Sequence, residues 1–156
     1  MKSIKIFRMT GLLSLAVYLF GFTHRPGGEG FEVYLNNKLV IQQFHEKLKE
    51  VKNLQLSSNP ANDVITVKYW NCGNLDKART LSIKDDKDRI VKEWKFADAK
   101  SRNEAMQVKV SEIPGISKES ANLKLNLYYT SAEIPKGRQL VALKVGEGNT
   151  ASVTKK

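Results

Sequence analysis

Between residues 31 and 145, apolar residues recur at nearly every second position, and that period decides the class of fold. A strand sends successive side chains to opposite faces, whereas a helix needs an apolar residue every third or fourth position. The clearest run sets Leu123, Leu125, Leu127 and Tyr129 against Asn122, Lys124, Asn126 and Tyr128. The same alternation runs through Phe31, Val33 and Leu35, through Leu81 and Ile83, and through Met106, Val108 and Val110. Val64 to Trp70 is rich in the β-branched and aromatic residues that suit a pleated surface. Ile90 to Phe96 and Leu140 to Val145 add further strands, with shorter ones expected at Leu39 to Ile41 and from Val51. His45 to Glu50 reads as a loop or a single turn, although Phe44, Leu48 and Val51 stand at helical spacing.

Turn chemistry separates these runs. Asn36-Asn37 tolerates a left-handed backbone and marks a hairpin. Asn59 to Asp63, Cys72-Gly73-Asn74, Asp85 to Asp88, Pro114-Gly115 and Pro135-Lys136-Gly137 punctuate the rest. About eight short strands and no convincing helix predict one all-β domain over residues 31–145. The expected form is an antiparallel β-sandwich of immunoglobulin-like or jelly-roll-like type.

The ends differ from this domain. Lys2, Lys5 and Arg8 precede an apolar run from Leu12 to Phe22 that is broken only by Ser14 and Gly21. A cationic head before an apolar stretch too short to span a bilayer is the layout of a signal peptide. Residues 1–23 are therefore expected to direct export, to the periplasm or beyond the cell. Residues 24–30, with three glycines and a proline, are expected as a flexible tether, and 146–156 as a frayed tail. No transmembrane span is expected in the mature form.

The formal charge of +10 falls to +6 for a chain starting at residue 26, because four basic residues and no acid lie before it. That value favours solubility and attraction to anionic surfaces, and argues against a nucleic-acid partner. Only His24 and His45 are present, with one cysteine, Cys72. Zinc needs three or four such ligands, and no Gly-x-Ser-x-Gly elbow presents a serine, so no metal, cofactor or catalytic residue is expected. Cys72 reads as a small buried residue at a strand end, with a disulfide-linked dimer as the alternative open to an exported odd thiol. Asp85-Asp86-Lys87-Asp88 lacks the glycine and distal glutamate of a calcium loop and reads as a solvated hairpin turn.

The candidate binding residues follow from the period of two. If Phe31, Val33, Ile65, Val67, Tyr69 and the leucines of residues 123–127 line the core, then Tyr34, Lys68, Trp70, Lys124 and Tyr128 point outward. Either they form an aromatic and lysine face for an acidic glycan or lipid headgroup, or the aromatics cover a second packed layer. The leading expectation is a non-enzymatic module that binds an envelope protein or supports an envelope assembly.

A family resemblance accompanies these readings. Phe31 to Leu39, Tyr69-Trp70-Asn71-Cys72-Gly73, Leu81 to Asp85, Val91 to Phe96, Leu125 to Tyr129 and Ile134 to Arg138 together resemble small exported proteins of Bacteroidetes. The resemblance covers most of the chain after the leader. It implies an exported location and an all-β fold, and carries over no active-site residue.

Overall fold

The computed structural model describes residues 28–57, 62–116 and 124–145. The expected leader, residues 24–27 of the tether and the tail lie outside these residues. Nine strands form two packed sheets. The first sheet joins β1 (Gly30–Leu35), β2 (Lys38–Phe44), β4 (Val64–Trp70) and β7 (Met106–Lys109) in the order β2-β1-β4-β7. The second joins β3 (Lys52–Leu56), β5 (Thr80–Lys84), β6 (Ile90–Lys95), β8 (Leu125–Thr130) and β9 (Arg138–Val145) in the order β3-β9-β8-β5-β6. Short 3-10 turns at His45–Lys49 and Val110–Glu112 complete the described elements.

The chain is an all-β sandwich. Phe31, Val33, Ile41, Ile65, Val67, Tyr69, Met106 and Val108 face inward from the first sheet. Leu54, Leu56, Leu81, Ile83, Leu125, Leu127, Tyr129 and Leu143 meet them from the second. The alternation that predicted the strands is thus also the division between core and surface. β1, β4 and β7 are neighbours in one sheet and β5, β8 and β9 in the other, an order like that of strands A, B, E against C, F, G in an immunoglobulin-type sandwich, with β2, β3 and β6 added at the edges.

Local chemistry explains the turns. Asn36 and Asn37 both take positive φ, 51° and 65°, as a two-residue hairpin requires. The Asn36 side chain also donates to Asp63 at 2.7 Å and accepts from the Val64 N–H at 3.0 Å, fixing the start of β4 beside the first hairpin.

Five expectations change. The sandwich is not wholly antiparallel, because β3 runs parallel to β9, with Lys52 opposite Val141 and Leu56 opposite Val145. Val110 ends β7 in a 3-10 turn instead of continuing it, and Val51 lies exposed before β3 begins. Gly28 to Gly30, expected in the tether, are held by the domain: Gly30 opens β1, and Glu29 pairs with Arg138 at 2.8 Å. Cys72 is exposed, in a turn with φ 50° beside Gly73 at 84°, and is not a buried residue.

Candidate aromatic binding face

The outward side of the first sheet is built in rows, because register places partners directly opposite. Gly30 faces Phe44 on β2 and Trp70 on β4. A Cβ on Gly30 would sit 2.6 Å from Phe44 Cδ1 and 2.8 Å from the Trp70 indole. Its absence lets the two rings close over β1, with centroids 5.2 Å apart and planes tilted by 43°. Aromatic side chains covering a strand glycine in this way stabilise the sheet while leaving one apolar surface toward solvent. Phe44 keeps 37% of its surface exposed.

The next row is Gln42–Glu32–Lys68. Glu32 accepts from the Tyr34 hydroxyl and from Gln42 Nε2, both at 2.7 Å. The Lys68 ammonium lies 5.0 Å from the Tyr34 ring centre. The bond to Glu32, with lesser contributions from desolvation and from the carboxylate's charge, holds the Tyr34 phenol above its ordinary pKa. In this row the one cation stands directly opposite the one anion, so the row itself presents aromatic and amide surface with little net charge. Beyond Tyr34, Thr66 is 6% exposed and its hydroxyl has no protein partner.

The five candidate residues do not form one surface. Tyr34, Lys68 and Trp70 lie on the outer face of the first sheet, as alternation predicted. Tyr128 alternates with the buried Leu127 and Tyr129 and therefore lies outside the second sheet, on the opposite side of the sandwich. There its hydroxyl donates to Gln139 Oε1 at 3.2 Å, and Lys84 rests 4.4 Å from its ring centre. Lys124 is exposed just before β8. The single aromatic and lysine face is thereby corrected to two, because the two strands belong to different sheets. Among the described residues, the aromatics buried in the core are Phe31, Tyr69 and Tyr129, whereas Tyr34, Trp70 and Tyr128 are partly exposed.

Two contributors escaped the sequence reading. Phe44 was grouped with Leu48 and Val51 by helical spacing, although Gln42 and Phe44 continue the period of two. Gly30 was assigned to the tether, although it directly precedes the alternating run.

A second cluster closes one end of the sandwich. Tyr69 stacks on Tyr129 with centroids 4.3 Å apart. The Tyr69 hydroxyl donates to Glu29, and Arg138 binds Glu29 and the Tyr69 oxygen at 2.8 and 3.0 Å. The Tyr129 hydroxyl donates to Asp76 Oδ2 at 2.6 Å. Burial raises the pKa of Asp76 and, with the Asp76 carboxylate beside it, that of Tyr129. The buried Arg79 bonds the Ala97 and Glu104 carbonyls at 2.8 and 2.9 Å and fastens the loop after β6. Most of these groups bond one another, while the buried Asp76 Oδ1 has no hydrogen-bond partner among the described residues.

The Asp85 turn is self-satisfied. Its carboxylate accepts from the N–H groups of Lys87 and Arg89 at 2.9 and 3.0 Å and pairs with the Arg89 guanidinium at 2.6 Å. Among the described residues no group of three or more His, Cys, Asp or Glu side chains could hold a metal ion, and no helix is long and apolar enough to cross a membrane. His45 is exposed, with its ring against Gly28.

No protein-family model matches the chain, and no curated protein matches it.

Proposed function

We propose that this chain is an exported, non-enzymatic sandwich module that binds a protein of the cell envelope through the outer face of its first sheet. The observation that carries the reading is the Phe44–Trp70 pair closed over Gly30 and bordered by a charge-balanced row. Aromatic side chains that are rigid, partly exposed and ringed by hydrogen-bonding groups are the usual anchors of protein interfaces. The support for export is the cationic head and apolar run of residues 2–22.

The competing reading, an acidic glycan or lipid headgroup held by aromatics and lysines, asks for clustered cations. Lys68 stands opposite Glu32, Lys109 stands apart from it on β7 beside Val64, and Lys84 and Lys124 belong to the far side. The placement of the charges therefore favours protein docking.

The test is capture from an envelope extract at low and at high salt, with the native chain and a Trp70→Ala variant. Apolar docking predicts one protein retained at both salts and lost with Trp70→Ala, while a Lys124→Ala control retains it. Capture of glycan or lipid only at low salt, where charges are less screened, would overturn the reading.

A further inference from the structure

Residues 71–79 carry the chain from the end of β4 in the first sheet to the start of β5 in the second. Of their side chains only those of Asp76 and Arg79 are buried, each 4% exposed. The backbone of this connection is tied to two other loops. The Ala99 N–H donates to the Asp76 carbonyl and the Ala132 N–H to the Lys77 carbonyl, both at 2.9 Å. The Ala78 N–H donates to the Asp98 carboxylate at 2.9 Å, and the Lys77 N–H to that of Glu133 at 3.2 Å.

The two buried side chains fare differently. Arg79 places its guanidinium on two carbonyls and on the Glu104 carboxylate. Asp76 receives one bond, from the Tyr129 hydroxyl to Oδ2, and its buried Oδ1 has none among the described residues. A carboxylate offers about four acceptor sites, and burying the charge with most of them unmet costs far more than burying the neutral acid. The surrounding charges do not offset that cost. Glu133, in the loop after β8, and Glu29, before β1, add like charge, and the opposing Arg79 is already held by Glu104. Arg138 is taken up by Glu29 and the Tyr69 oxygen. Desolvation, the largest influence, thus holds the Asp76 carboxyl above its ordinary pKa, against the bond from Tyr129.

We infer that Asp76 is an acid-closed latch, which as the neutral acid holds the Leu75–Arg79 connection against Tyr129 and as the carboxylate lets it open. The sign follows from linkage. A carboxyl whose folded pKa lies above the unfolded value of about 3.9 adds stability as pH falls through the folded value, and that addition is lost above it. Ionisation therefore favours any opening that brings Oδ1 to water. Such an opening parts the connection from β8 and breaks its bonds to Ala99 and Ala132. The response runs opposite to that of the Asp85 turn, whose carboxylate is fully bonded in the charged form. The latch does not depend on the docking role proposed for Trp70.

Hydrogen exchange at the Ala99 and Ala132 amides, corrected for the intrinsic rate, tests the latch on the chain as its host processes it. Protection should fall as pH rises from about 4.5 to about 8, by about tenfold for each unit between the folded and unfolded pKa. Asp76→Asn keeps an acceptor for Tyr129 and cannot ionise, so its protection should stay level over that range. Carboxyl-carbon NMR on the unsubstituted chain guards against a folding defect in the variant. There the Asp76 signal should titrate above about pH 3.9. Tyr129→Phe removes the one bond that favours the charged form and should move that midpoint higher still. An Asp76 midpoint at or below the ordinary value, level protection in the unsubstituted chain, or an equal fall in Asp76→Asn would each overturn the latch.

Discussion

Gly30 does its work by what it lacks. Two aromatic rings occupy the space a side chain would take, and both belong to strands that β1 itself holds in register. Gly30→Ala should push Phe44 and Trp70 apart. Because Phe44 faces solvent and can yield, the cost should be about 1 kcal/mol, at the low end for overpacking. Urea denaturation measures it, and a red-shifted Trp70 fluorescence should accompany it. Residue by residue, the sequence disclosed the direction of each strand side chain: Tyr34, Lys68, Trp70 and Tyr128 all point outward as alternation required. It did not disclose which outward residues share a side of the sandwich, because a period of two fixes the face of a strand and not the sheet to which the strand belongs. Cys72 was misread for a related reason. A cysteine after a strong strand is usually buried, but here a turn with two positive φ angles, Cys72 and then Gly73, swings it into water.

At the level of elements, the β5–β6 hairpin shows a turn stabilised by one carboxylate. The bond from the Arg89 guanidinium, reinforced by the Arg89 and Lys87 N–H groups, holds the Asp85 carboxyl below its ordinary pKa against the opposing effect of desolvation. A folded pKa below the unfolded one makes a contribution that is full above the unfolded aspartate value of about 3.9 and is lost as pH falls through the folded value. Asp85→Asn should therefore lower the urea midpoint at neutral pH and flatten its decline below about pH 4. Most strands could be read from local pattern, because Val64 to Trp70 or Leu125 to Tyr129 state their own period. The partner of β3 could not. Nothing in Lys52–Leu56 names Val141–Val145 as its neighbour, and parallel pairing leaves no hairpin turn to reveal it.

On the scale of the whole molecule, Glu29 ties the beginning of the domain to its last strand. Arg138 in the second sheet and Tyr69 in the first both converge on its carboxylate, 109 and 40 positions away. Glu29→Ala should cost about 1–2 kcal/mol, since the bonds are charge-assisted but partly open to water. Hydrogen exchange should quicken at the start of both β1 and β9, and not in β1 alone. The parallel strand pair sets a second condition, on the order in which the molecule comes into being. Lys52 meets Val141 across 89 positions of chain. At a synthesis rate of about 5–20 residues per second, β3 waits on the order of ten seconds for its one ladder partner among the described residues. Until the last strand emerges, the second sheet lacks the strand that joins β3 to β8. The second sheet of a nascent chain of this design therefore stays incomplete until Arg138–Val145 has been made.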